Sequence, residues 1–145
     1  MKMKIFFLIS LFNGFAFFQS VYAVNPPPDG CYPNFTTAEG CNALRALTTG
    51  VGNTGLGALA LYLNSEGGSN TGVGAAALAL NTADSNTAVG AAALLLNKDG
   101  AANTAVGRNA LTYNNSGFGN NALGAFALLN NIGGFFGSFL TCCER

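Results

Sequence analysis

Histidine and tryptophan are absent from these 145 residues, and Asp, Glu, Lys and Arg together make up only 8 %. Without histidine the usual nucleophile–base pair cannot be built, so the chain reads as non-enzymatic. Six Lys and Arg in all do not furnish the basic face that a nucleic-acid binder needs. Four cysteines without histidine fall short of a zinc site, which wants four ligands at characteristic spacing. The acids Glu66, Asp84 and Asp99 come about one per repeat at unmatched places, whereas calcium requires six to eight oxygens. They read as solvated turn residues. No metal, cofactor or small-molecule substrate is therefore expected.

Long apolar runs are confined to the start. Lys2 and Lys4 precede one beginning at Ile5, and Val21-Tyr22-Ala23 is a small-x-small cleavage signal, so residues 1–23 read as a secretory signal peptide. Asn13, Gly14, Gln19 and Ser20 interrupt the run, leaving it short of the ~20 residues of a spanning helix. Export makes disulfides available. Cys31, before the first repeat, and Cys41, within it, could bridge, or remain free thiols; Cys142 and Cys143 are adjacent. Without Lys2 and Lys4 the chain is near −2, too weak a charge to imply a partner.

What the sequence has is repetition. Asn53-Thr-Gly-Leu-Gly57, Asn70-Thr-Gly-Val-Gly74, Asn86-Thr-Ala-Val-Gly90, Asn103-Thr-Ala-Val-Gly107 and Asn120-Asn-Ala-Leu-Gly124 follow a divergent first copy, Thr36-Thr-Ala-Glu-Gly40. The starts are spaced 17, 17, 16, 17 and 17 residues. Such a period predicts a repeat solenoid of about six 16–17-residue coils. The boundaries are a Pro-rich lead-in and cap over 24–35, the array over 36–134 and an aromatic and Cys-containing tail over 135–145. Phe35 and Tyr32 are expected to cover the first coil, and Phe135, Phe136 and Phe139 the last.

Within each repeat the fifth place is always Gly (Gly40, Gly57, Gly74, Gly90, Gly107, Gly124) and the eighth always Ala. The ninth is always Leu (Leu44, Leu61, Leu78, Leu94, Leu111, Leu128). Leu at the ninth place and Val or Leu at the fourth are the expected core rungs, with small residues at the third and eighth keeping the interior narrow. Gly at the fifth suggests a positive φ or a close approach to the next coil. Thr-Ala-Val-Gly is a short strand by propensity. The Ala/Leu run after it fits a short helical turn, which is preferred, or a second strand. Asn at the first and twelfth places could exchange amide hydrogen bonds along the rod.

The repeated Asn-Thr-Ala-Val-Gly-x-x-Ala-Leu pattern over residues 36–134 resembles the head repeats of trimeric autotransporter adhesins of the Yersinia adhesin type. Similar arrays occur in bacterial surface and tail-fibre-like proteins. The resemblance implies a left-handed parallel β-roll, a homotrimer, and an adhesive role at a host or matrix surface, secreted or on the cell surface. These repeats are a few residues longer than the usual head repeat. No stalk, barrel or chaperone follows Cys142-Cys143-Glu-Arg145, so a structural fibre segment or truncated array is the alternative expectation. An ice- or surface-binding solenoid using Thr37, Thr54, Thr71, Thr87 and Thr104 is another, although one Thr per coil is also explained by strand propensity. Gly50-Val-Gly52-Asn-Thr-Gly55 matches a dinucleotide fingerprint but lacks its strand, long helix and distal acid. The export reading predicts Val24 as the N-terminus of secreted protein by mass spectrometry; Met1 on the soluble product would refute it.

Overall fold

A computed structural model describes residues 33–140. The signal peptide, Cys31, Tyr32, Cys142 and Cys143 lie outside the described residues. The array is a parallel β-solenoid. Its strands are β1 (Thr37–Glu39), β2 (Thr54–Leu56), β3 (Thr71–Val73), β4 (Thr87–Val89), β5 (Thr104–Val106), β6 (Asn121–Leu123) and β7 (Ser138–Leu140). They form one sheet in chain order, each paired in parallel with the next. Register advances by one repeat, so Thr54 faces Thr71 and Thr71 faces Thr87. The seventh strand extends the ladder beyond the last recognised repeat, with Ser138 opposite Asn121.

In β1 to β6 the middle residue of each three-residue strand is buried and faces inward. The interior is then built from the third-, eighth- and ninth-place residues, and in the central coils Ala60, Leu61, Ala77, Leu78, Ala93, Leu94, Ala110 and Leu111 are completely buried. Leu128 in the last coil packs against this core while half-buried. The fourth place is not a core rung. Strand side chains alternate, so Leu56, Val73, Val89, Val106 and Leu123 point outward beside the second-place residues; Val89 is 38 % and Leu123 48 % exposed.

The Ala/Leu run forms neither a helix nor a second strand. It is two successive tight turns, closed in the second coil by Ala60 N–H to Gly57 C=O (3.1 Å) and Asn64 N–H to Leu61 C=O (3.1 Å). Good helix formers here adopt left-handed backbone: Leu59, Ala76, Ala92, Asn109 and Phe126 at the seventh place, and Leu61, Leu78, Leu94, Leu111 and Leu128 at the ninth. Each such residue costs about 1–2 kcal/mol. The return is that amides point along the rod. Leu59 N–H reaches back to Cys41 C=O (2.9 Å) and Leu61 N–H forward to Ala77 C=O (2.9 Å). A helix would direct those groups into itself and leave the neighbouring coils unpaired.

The asparagines satisfy what remains. Asn at the first and twelfth places is fully buried from Asn53 to Asn120, excepting only the half-buried Asn131 at the end. First-place Oδ1 atoms accept the backbone N–H of the next first-place Asn, as in Asn70 to Asn53 (2.9 Å) and Asn103 to Asn86 (3.0 Å). Twelfth-place amides form their own file: Asn81 Nδ2 donates to Asn64 Oδ1 (2.9 Å), Asn97 to Asn81 (2.7 Å) and Asn114 to Asn97 (2.7 Å). Both files also donate to one corner carbonyl per coil; Gly100 C=O accepts from Asn86 (2.8 Å) and Asn97 (2.6 Å). No buried side-chain N or O among the described residues lacks a partner.

The fifth-place glycines have φ between 121° and 134°, a conformation that disfavours any side chain. They also touch. A Cβ on Gly90 would lie 2.6 Å from the Gly107 carbonyl carbon and oxygen. Gly90→Val is expected to cost about 1–3 kcal/mol from backbone strain alone, whereas Lys98→Val in an exposed turn should cost little. Equal circular-dichroism melting shifts for the two would contradict this placement.

Candidate functional surfaces

Chemistry requires exposed groups, and this fold exposes few that are reactive. Among the described residues no three of His, Cys, Asp and Glu converge on a point that could hold a metal. The first- and twelfth-place asparagines are occupied with each other and with backbone, which removes them as ligand groups. Cys41 is exposed, while Cys31 lies outside the described residues, so the proposed bridge has only one end described. The glycine and leucine places Gly57, Gly74, Gly90, Gly107, Gly124, Leu61, Leu78, Leu94, Leu111 and Leu128 all stack on their equivalents as scaffold. What can meet a partner is the side of the rod.

Three kinds of lateral surface result. The strand face carries the second-place rank (Thr54, Thr71, Thr87, Thr104, half-buried) and the fourth-place aliphatic rank together. Beyond the glycine corner, the turn face carries Leu59, Leu95, Phe126 and Leu129, of which Leu59 is exposed and the others half-buried. Two arginines sit over rings on this side, Arg45 at 6.0 Å from the Tyr62 centroid and Arg108 at 5.4 Å from that of Phe126, within cation–π range. The third surface is the outer turns, whose residues differ from coil to coil. Glu66, Asp84, Lys98 and Asp99 all lie there and are exposed. Asp84 Oδ1 accepts from Gly68 N–H at 2.7 Å, a turn-to-turn tie.

The end caps are not as expected. Phe35 is 92 % exposed and covers nothing; instead Asn34 ties the first turn, donating to Thr48 C=O (3.3 Å) and accepting from Gly52 N–H (2.9 Å). Phe135 and Phe136 are exposed and lie on the side of the last coils, with ring centroids 4.4 and 5.3 Å from Phe118. These two extend an outer-turn rank rather than close the open end, and the side chain of Phe139 lies outside what is described. Sequence reading found the fourth-place and Phe ranks but gave both the wrong orientation, because only the pleat and the corner geometry decide which way a side chain faces.

No family model, curated protein or solved structure matches the chain. The surfaces themselves are therefore what bears on function. Two asparagines of contrasting position test which amides are structural. Asn97→Leu should lower stability by about 1–3 kcal/mol, the cost of stranding buried polar groups. Asn115→Leu, on an exposed turn, should change it little, and indistinguishable chemical-denaturation midpoints would refute the division.

Proposed function

We propose that the protein is a non-catalytic, exported surface or fibre module with an adhesin-head-like role, working as a parallel homotrimer. The observation that carries this reading is that two different sides of the rod are apolar, one with an aliphatic rank that recurs once per coil and one with a discontinuous set contributed by three of the coils. One is Leu56, Val73, Val89, Val106 and Leu123 on the strand face; the other is Leu59, Leu95, Phe126 and Leu129 on the turn face. A three-fold ring joins one patch of each subunit to a different patch of the next. Two different apolar sides along one rod suit that heterologous contact, and closure would cover an apolar surface larger than soluble monomers usually expose. The left-handed sense of the coil belongs to the same proposal, as does a host or matrix ligand met by the variable outer turns.

A second reading is favoured by one feature. The threonine rank and the fourth-place aliphatic rank point outward together, which is a regular arrangement for ordering water at an ice or mineral surface. Such binding needs the strand face free, so it excludes the trimer proposed above, and thermal hysteresis in dilute protein would support it.

Sedimentation of the purified protein is expected to show a species of three times the chain mass. Val89→Lys should convert it to single chains with an unchanged circular-dichroism spectrum. A well-folded monomer at high micromolar concentration would refute the trimer. Cell or matrix binding no better than that of a variant with scrambled outer turns would refute the adhesive role.

A further inference from the structure

The coils are equal in length except at one point. Elsewhere two residues separate the twelfth place from the corner carbonyl, as Ser65-Glu66 or Lys98-Asp99 do; between Asn81 and Ala83 there is only Thr82. The missing residue interrupts an otherwise continuous ladder. Backbone bonds join Thr48 to Ser65 (2.9 Å), Thr82 to Lys98 (3.1 Å), Lys98 to Asn115 (3.1 Å) and Asn115 to Ile132 (2.9 Å). Among the described residues none joins Ser65 or Glu66 to Thr82.

A groove of about 410 Å³ opens beside this break, within the range of small-molecule sites. Leu63, Leu80 and Leu96 form its floor, one from each of three successive coils, and Thr82, Lys98 and Asn115 line its edge. The three leucines span two rung spacings, roughly 10 Å along the rod. The groove borders the outer turns and is lined by none of the residues assigned above to self-association, and so does not rest on the trimer.

Its polar edge is directional. The Thr82 hydroxyl donates to Lys98 C=O at 2.6 Å and so fixes the backbone that carries the lysine. Lys98 is the one basic residue of the outer turns among the described residues, and it forms no ion pair there. Asn115 stacks on it one coil further and its exposed amide bonds to no described residue. An unpaired ammonium and a free amide at one end thus adjoin a wholly aliphatic channel at the other. A neutral apolar ligand would leave the cation unused, and a compact anion would leave the leucines exposed. Only a ligand combining both features complements both ends.

We propose that this groove binds a single-chain amphiphile with an anionic head, the head on Lys98 and Asn115 and the chain over Leu96, Leu80 and Leu63. Carboxylate and phosphate heads share this chemistry. The test is heteronuclear NMR titration of the full chain with decanoate, decyl phosphate and decyltrimethylammonium, each below its micelle concentration. Saturable shifts at Leu63, Leu80, Leu96, Lys98 and Asn115 are expected with the two anions, and the tighter of them identifies the natural head group. Lys98→Glu should weaken decanoate at least tenfold and improve the cationic analogue, and Leu80→Gln should abolish saturation, both with wild-type melting curves. Equal binding of the cation and the anions to the wild-type protein would overturn the proposal. So would shifts spread evenly along all the apolar ranks. Sedimentation of the same samples reports the oligomer separately, so failure here and failure of the trimer are distinguishable.

Discussion

Everything in this rod depends on satisfying polar backbone inside a coil too thin to admit water. The strands bond to their neighbours by ordinary ladder pairing, but corners break that pattern and would leave buried N–H and C=O groups unpaired. A carboxamide provides a donor and an acceptor at one position, and its translated copy one rung away needs the same two. Asn86 illustrates the economy of the arrangement: its Oδ1 accepts from Asn103 N–H and its Nδ2 donates to Gly100 C=O. Glutamine would be too long for that span, and aspartate would put a charge where no counter-charge exists. The tight rung spacing that the amides enforce then dictates glycine at the fifth place, where carbonyl meets backbone, and alanine at the eighth.

With the interior given over to small residues and amides, the larger aliphatic side chains have few places left but the outside. That is why a chain with only 8 % charged residues presents Val and Leu on its strand face and Leu and Phe elsewhere. The core uses one leucine per coil. The remainder lie on the sides of the rod and, on the outer side, in the groove beside Thr82. Sequence variation follows the same division: rung positions repeat almost unchanged, and the turns differ.

The period, the strand positions, the small interior residues and the amide files were all legible in the chain, because each is a position-specific demand that recurs five or six times. Two features were not. The fourth-place residues are β-branched or aliphatic whether they face in or out, so composition could not orient them, and the wrong face was chosen. The run Ala91-Ala-Ala-Leu-Leu-Leu96 has high helix propensity by any scale, and yet Ala92 and Leu94 are left-handed. Bonds to the coils before and after override local preference there, and a reading of one repeat by itself contains no trace of those neighbours. The Phe residues after Gly134 misled for a related reason: 17-residue spacing assigns Phe135 to the same rank as Phe118, which is a lateral position.

The left-handed residues also bear on how such a molecule could come into being. A single 17-residue unit cut from the array would have to hold two or three residues in a disfavoured basin with no neighbouring edge to reward it, and should be unstructured. Once a few coils exist, their open edge presents the waiting carbonyls and amides that make the next unit's strained geometry worthwhile. Assembly is then growth from a seed, one coil laid upon the last, with a costly beginning and inexpensive continuation. The same logic places the weakest links at the two ends, where a coil has only one neighbour, and makes the length of the rod a matter of how many copies the gene supplies rather than of any new folding problem.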